Sequence, residues 1–141
     1  MTWAIWALLS AFFAGLTAIL AKVGVENVNS NLATAIRTSV ILVITWAIAF
    51  AAVPAGHFVM PGRRTLVFLV LSGAATGLSW LCYFRALQLG EASRVAPVDK
   101  LSVVFVIILA AIFLRERLTW QQGIGGTLVV AGSLMLAWKP T

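Results

Sequence analysis

Charge is scarce in this chain. Only 10% of its 141 residues are charged, and acids are the rarest class: four Asp plus Glu against ten Lys plus Arg. Cysteine and histidine occur once each. Cys82 alone cannot close an intrachain disulfide, and His57 stands alone in a loop, so no metal site is expected. The net charge is +6, yet no basic run exceeds two residues. That scatter is unlike a nucleic-acid-binding patch, and no nucleic acid partner is expected. The chain also lacks a nucleophile–base pair, a Gly-rich phosphate loop and a metal-ligand spacing. Catalysis and a bound cofactor are therefore not expected. The start, MTWAIWALLSAFFAG, lacks a positive leading region and a clear cleavage motif, so it reads as a retained first span.

Apolar residues fill the rest. They make up 62% of the chain, and the mean hydropathy is +1.04. A soluble domain of this size cannot hide that much apolar surface, so the bilayer is the expected solvent. A helix needs about 20 mostly apolar residues to cross a hydrocarbon core of about 30 Å. Stretches that meet this need lie at roughly 3–22, 31–53, 66–88, 93–114 and 119–138. Little chain is left over. The expected fold class is an all-α membrane protein, with residues 1–141 forming a single five-helix transmembrane domain in the inner cell membrane.

Small residues mark the packing faces. Ala7, Ala11, Gly15 and Ala18 share a stripe on the first span. Gly73 and Gly77 form a G-x-x-x-G pair on the third. Gly125 and Gly132 share a face on the fifth, and Pro97 lies in the fourth. Small residues let membrane helices approach closely, within a chain or between subunits.

Short loops force successive spans to alternate direction. Arg63, Arg64, Arg115 and Arg117 fall on the side of residue 1. Lys22, Arg94 and Lys139 flank the spans on the opposite side, where the deeper Arg37, Arg85 and Lys100 also lie. Basic residues near span ends favour the cytoplasm. The flanking residues lean slightly to an inside N-terminus, and the deeper ones reverse that lean.

Ionisable residues inside a span are expensive and usually functional. At about 1.5 Å per residue, Arg37 lies about 9 Å into the second span, Arg85 about 6 Å from the end of the third and Lys100 about 10 Å into the fourth. Asp99 is about 100° around the helix from Lys100, and Ser102 shares its face. Together Arg37, Arg85, Asp99, Lys100 and Ser102 make a candidate substrate pocket on that side. The surplus of cations points to a ligand with a carboxylate or another anionic group. It argues against a lipophilic cation, which would need an acid near a span centre. Asp99 has open alternatives. It neutralises Arg85 or Arg37, or it serves a helix start at Pro97, or it carries protons. Lys22 and Arg85 also fit snorkelling to the interface.

Residues 90–136, GEASRVAPVDKLSVVFVIILAAIFLRERLTWQQGIGGTLVVAGSLML, resemble the end of an EamA domain of the drug/metabolite transporter superfamily. That pattern runs G-x-A-S-x-V-A-P, an apolar helix ending in G-E-x-L-T, then a Gly-rich last span. Gly90, Ala92, Ser93, Val95, Ala96 and Pro97 match the first part. Glu116, Leu118 and Thr119 match the second, with Arg115 where glycine is usual. Lys22 and Arg37 match the family's start more loosely, and the D-K-L-S at 99–102 resembles the short bacterial and archaeal members.

The resemblance implies a metabolite transporter. Most relatives have ten spans, built as two five-span repeats of opposite orientation, with substrate between the halves. This chain has one repeat, so it is expected to work as an antiparallel homodimer that moves a small molecule by alternating access. The other reading is a non-transporting membrane subunit that assembles with or regulates another membrane protein. The weak charge bias fits dual topology. Reporter fusions at the C-terminus should show both locations; a single location would remove dual insertion.

Overall fold

The computed structural model describes residues 2–57 and 60–138. Its helices are α1 (Trp3–Val25), α2 (Ser30–Ala52), α3 (Arg63–Leu89), α4 (Ala92–Asp99), α5 (Ser102–Phe113) and α6 (Trp120–Ala137), with a single 3₁₀ turn at Ala55–His57. Among the described residues there is no strand. The expected all-α class and the five long helical segments are both present. Lys139, counted above among the flanking cations, lies outside the described residues.

Local chemistry sets the helix ends. Asn29 caps α2 by accepting the Asn31 N–H at 2.9 Å. Val53 precedes Pro54 and is extended, which ends α2. Thr119 and Gln122 form a reciprocal capping box that starts α6.

The fourth span is not one continuous helix. It breaks at Lys100 and Leu101 into α4 and α5. Pro97 lies one turn before the break; it has no N–H to donate and its ring crowds the preceding turn, yet α4 runs through it to Asp99. The N–H groups of Lys100 and Leu101 close onto the carbonyls of Pro97 and Val98 at 3.1 and 3.0 Å, so the chain tightens locally to three-residue turns. The proposed helix start at Pro97 is therefore corrected. The helix starts at Ala92, and Asp99 is the last residue of α4 rather than a residue of its first turn.

Among the described residues, four segments are long and apolar enough to cross a membrane: α1, α2, α3 and the α4–α5 run. Most of their large side chains are exposed. Phe12 is 67% exposed and Phe113 77%, and the buried apolar set is Ala18, Ala21, Val25, Phe84 and Leu87. An apolar exterior of this kind needs lipid or other protein around it. Polar hydroxyls on these helices bond inward instead. Thr38, Ser39, Thr45 and Thr76 each donate to a carbonyl of their own helix, so none leaves an open donor facing hydrocarbon.

The chain divides into two compact units, residues 24–88 and residues 1–23 with 89–141. In the latter, α6 packs against both α4 and α5. Gly126 lies at this packing face: a Cβ added there would make ordinary contact with the Ile107 side chain at 3.7 Å. Gly126 and Ser133, seven residues apart, are both buried. Within this chain the buried stripe of α6 is thus rotated by one residue from Gly125 and Gly132. A Cβ at Gly15, Gly73, Gly77, Gly125 or Gly132 would meet nothing within 4 Å among the described residues.

Arg115 follows α5 with φ 54°, in the left-handed region. This is the position where the family pattern has glycine. A side chain there costs about 1–2 kcal/mol, while glycine loses about 0.5–1 kcal/mol through its freer unfolded state. Arg115→Gly should therefore raise stability by roughly 0.5–1 kcal/mol, read as a higher melting temperature in detergent. A lower one would show that the Arg115 side chain outweighs its backbone strain.

Candidate functional site

Arg37 is the deepest cation in residues 24–88. It sits seven residues after Ser30, about 10 Å along α2, on a helix with no acid in its sequence. Trp80 and Phe84 lie four residues apart on α3 and so share a face. The Arg37 Cζ stands 4.4 Å from the Trp80 ring centroid and 5.4 Å from that of Phe84. Both distances lie within cation–π range, worth about 0.5–2 kcal/mol each depending on desolvation. Among the described residues the ion pairs are Arg94–Glu91 at 3.0 Å and Lys100–Asp99 at 3.7 Å, so Arg37 has no carboxylate partner there. Ser30 and Thr34, on the same side of α2, are buried. Thr34 donates to the Ser30 carbonyl at 2.8 Å, and Thr38 to that of Thr34 at 2.8 Å. Their hydrogens thus bond within the helix.

Arg85 lies on the last two turns of α3 and is exposed. Its Nη1 donates to Gln88 Oε1 at 2.7 Å, and Gln88 Nε2 donates to the Val28 carbonyl at 2.9 Å. This relay ties the end of α3 to the turn before α2. Lys22 donates from Nζ to the Gly90 carbonyl at 2.8 Å. Each group thus makes a specific bond near a helix end.

Asp99, Lys100 and Ser102 belong to the unit of residues 1–23 and 89–141. Asp99 pairs with Lys100, its sequence neighbour. This corrects the expectation that the two point apart. That expectation assumed an unbroken helix; Lys100 instead caps the end of α4, where the chain turns. The pair is largely exposed, and exposed pairs contribute little, about 0–1 kcal/mol. A cleft of about 450 Å³ runs between α4 and α6, lined by residues that include Ala96, Pro97, Leu128, Gly132 and Ser133, with Lys100 its one charged lining residue. Asp99 and Ser102 do not line it.

The structure thus groups Arg37 with Arg85 in one unit, and Asp99, Lys100 and Ser102 in the other. Trp80, Phe84 and Gln88 were missed by sequence reasoning. The W-x-x-x-F spacing was visible, but nothing in the sequence says which helix an aromatic face meets. Among the described residues, no cluster of His, Cys, Asp and Glu could hold a metal.

Residues 1–138 match the EamA-like transporter family. A protein named "Uncharacterized transporter in cobO 3'region" from a Sinorhizobium species is 53% identical over 139 residues, covering 96% of each chain. A "Probable terminal-alkyne amino-acid exporter" from Streptantibioticus cattleyicolor is 33% identical over 139 residues, which is 95% of this chain and 44% of that protein. No solved structure matches significantly. The match over nearly the whole length, the apolar helices and the similarity to transporters of two lengths together place this multi-pass membrane protein: the chain belongs to the EamA-like transporter family of the drug/metabolite transporter superfamily.

Proposed function

We propose that two copies of this chain, each a single five-helix domain, assemble in opposite orientations in the cell membrane and carry a small carboxylate-bearing metabolite by alternating access. One observation carries the reading of the ligand. Arg37 holds a positive charge inside a membrane-spanning helix with aromatic faces beside it and no carboxylate from the described residues. A guanidinium offers five N–H donors in a rigid fork suited to a carboxylate, so an anionic ligand would supply the missing partner. Lys100, in the other unit, is a separate candidate anchor. It faces an apolar cleft, and its weak pair with Asp99 is easily exchanged for a ligand anion. Arg85 would tune the polarity of the unit that holds Arg37, and Asp99 and Ser102 that of the unit that holds Lys100.

The similarity to an amino-acid exporter supports an amino acid or a related acid as substrate. That relative is about twice as long, which fits a chain that must supply its second half from another copy. A similar transporter of nearly equal length supports the view that one repeat per polypeptide suffices.

A binder raises apparent stability by mass action. In a melting screen of the detergent-purified protein against amino acids, organic acids and organic cations, the stabilising ligand should carry a carboxylate. Losing a hydrogen bond to a charged group costs about 1.5–3 kcal/mol, so Arg37→Ala should weaken that ligand by roughly ten- to hundredfold. Lys100→Ala should weaken it as well, by less. A stabilising ligand that is purely cationic and indifferent to both changes would overturn the anion site.

A further inference from the structure

A guanidinium is planar, and its N–H donors radiate within that plane. When its face rests on an aromatic ring, those donors remain available at the edge. Arg37 lies against two rings, with its Cζ 4.4 Å from the Trp80 centroid and 5.4 Å from that of Phe84. The rings differ in access. Phe84 is 3% exposed, whereas Trp80 is only half-buried. Phe84 therefore backs the site, and Trp80 keeps reachable ring surface beside the guanidinium. Tyr83, beside Phe84 on α3, lies within electrostatic reach of Arg37, and the other polar side chains nearby are engaged elsewhere. Thr34 and Thr38 donate to their own helix. Arg85 donates to Gln88, and Gln88 to Val28. The surface next to the Arg37 donors is thus aromatic more than polar.

We propose that Trp80 is the positioning residue of Arg37 and the specificity wall of the site, so that the preferred ligand is a carboxylate carrying an apolar group, above all an aromatic one. This rests on the carboxylate reading of Arg37. The indole face restricts the long arginine side chain, which otherwise regains rotamer freedom. The same ring offers a ligand ring an offset or edge-on contact, worth about 0.5–1.5 kcal/mol beyond simple burial. A small anion without such a group meets the guanidinium but gains nothing from the wall. The match is between a fixed cation with open donors and an adjoining apolar face, all on α2 and α3.

The test uses the full chain in nanodiscs, titrated calorimetrically with 3-phenylpropionate and with propionate, with empty nanodiscs subtracted. Both probes carry the same carboxylate, and only one carries a ring. Phenylpropionate should bind the unaltered protein about tenfold more tightly. Trp80→Leu should cut that ratio to roughly twofold and weaken both probes, because Arg37 is no longer held. Trp80→Phe should restore most of the ratio, which a purely structural role would not predict. Arg37→Ala should weaken both by roughly ten- to hundredfold. Trp80→Met, ringless but similar in reach, replaces the leucine variant if that one fails to fold. Equal affinity of the two probes for the unaltered protein would overturn the wall even if every variant misfolds. So would a ratio that survives in the ringless variant, and if Arg37→Ala still weakens both probes, the anion site stands. Binding of neither probe, or binding indifferent to Arg37→Ala, would overturn the anion site and the wall together.

Discussion

The structure depends on one constraint: where apolar side chains face outward into lipid, every backbone group and hydroxyl must find its partner inside the chain. Helices meet that demand for the backbone. Thr34, Thr38, Ser39 and Thr45 of α2 and Thr76 of α3 meet it for their side chains by donating to carbonyls one turn back. Gln122 and Thr119 meet it at the start of α6 by capping each other. With these groups satisfied locally, few long-range polar bonds are needed. Those present, Lys22 to Gly90 and Gln88 to Val28, occur at chain turns. The few buried apolar residues follow from the same constraint, since lipid and neighbouring protein cover what a soluble domain would bury itself.

Against that background a charge in mid-helix needs an explanation. Arg37 is compensated by quadrupoles rather than by a countercharge. A carboxylate partner from the chain would hold it permanently and leave little affinity for a ligand anion. Aromatic faces lower the cost of placing the cation while leaving its donors open. Lys100 shows a different solution: its partner Asp99 is adjacent and exposed, so the pair is weak and exchangeable. The break behind Pro97 makes that pairing geometry possible. Arg37 and Lys100 are thus two cations poised differently, one by π faces and one by a loose ion pair.

Much of this was legible in the sequence. Long apolar runs located the helices, because a span length is set by the bilayer and not by tertiary detail. Arg37 was legible as a candidate site residue because its charge is costly at that depth on any packing. Motif likeness carried further: Arg115 stood out as a departure where glycine is usual, and its positive φ supplies the physical reason. The rest depended on three-dimensional facts. Pro97 was visible, but whether it opens a helix, kinks it or ends it depends on neighbouring hydrogen bonds. Asp99 and Lys100 were separated by assuming an ideal helix through a point where the helix stops. Gly125 and Gly126 differ by one step, or about 100°, and the glycine-rich run could not say which one faces α5. Trp80 was one of six tryptophans, with nothing to mark it until α2 was seen beside α3.

The central claim is that this short chain is sufficient for transport when it pairs with itself, with Arg37 as the ligand anchor. The most direct measurement is counterflow in liposomes whose only protein is this purified chain. The tracer is whichever radiolabelled amino acid or organic acid stabilises the protein most. The account predicts accumulation of the tracer against the preloaded unlabelled compound, and its loss in Arg37→Ala. Liposomes no more permeable to the tracer than protein-free ones, with the chain folded and inserted, would contradict it.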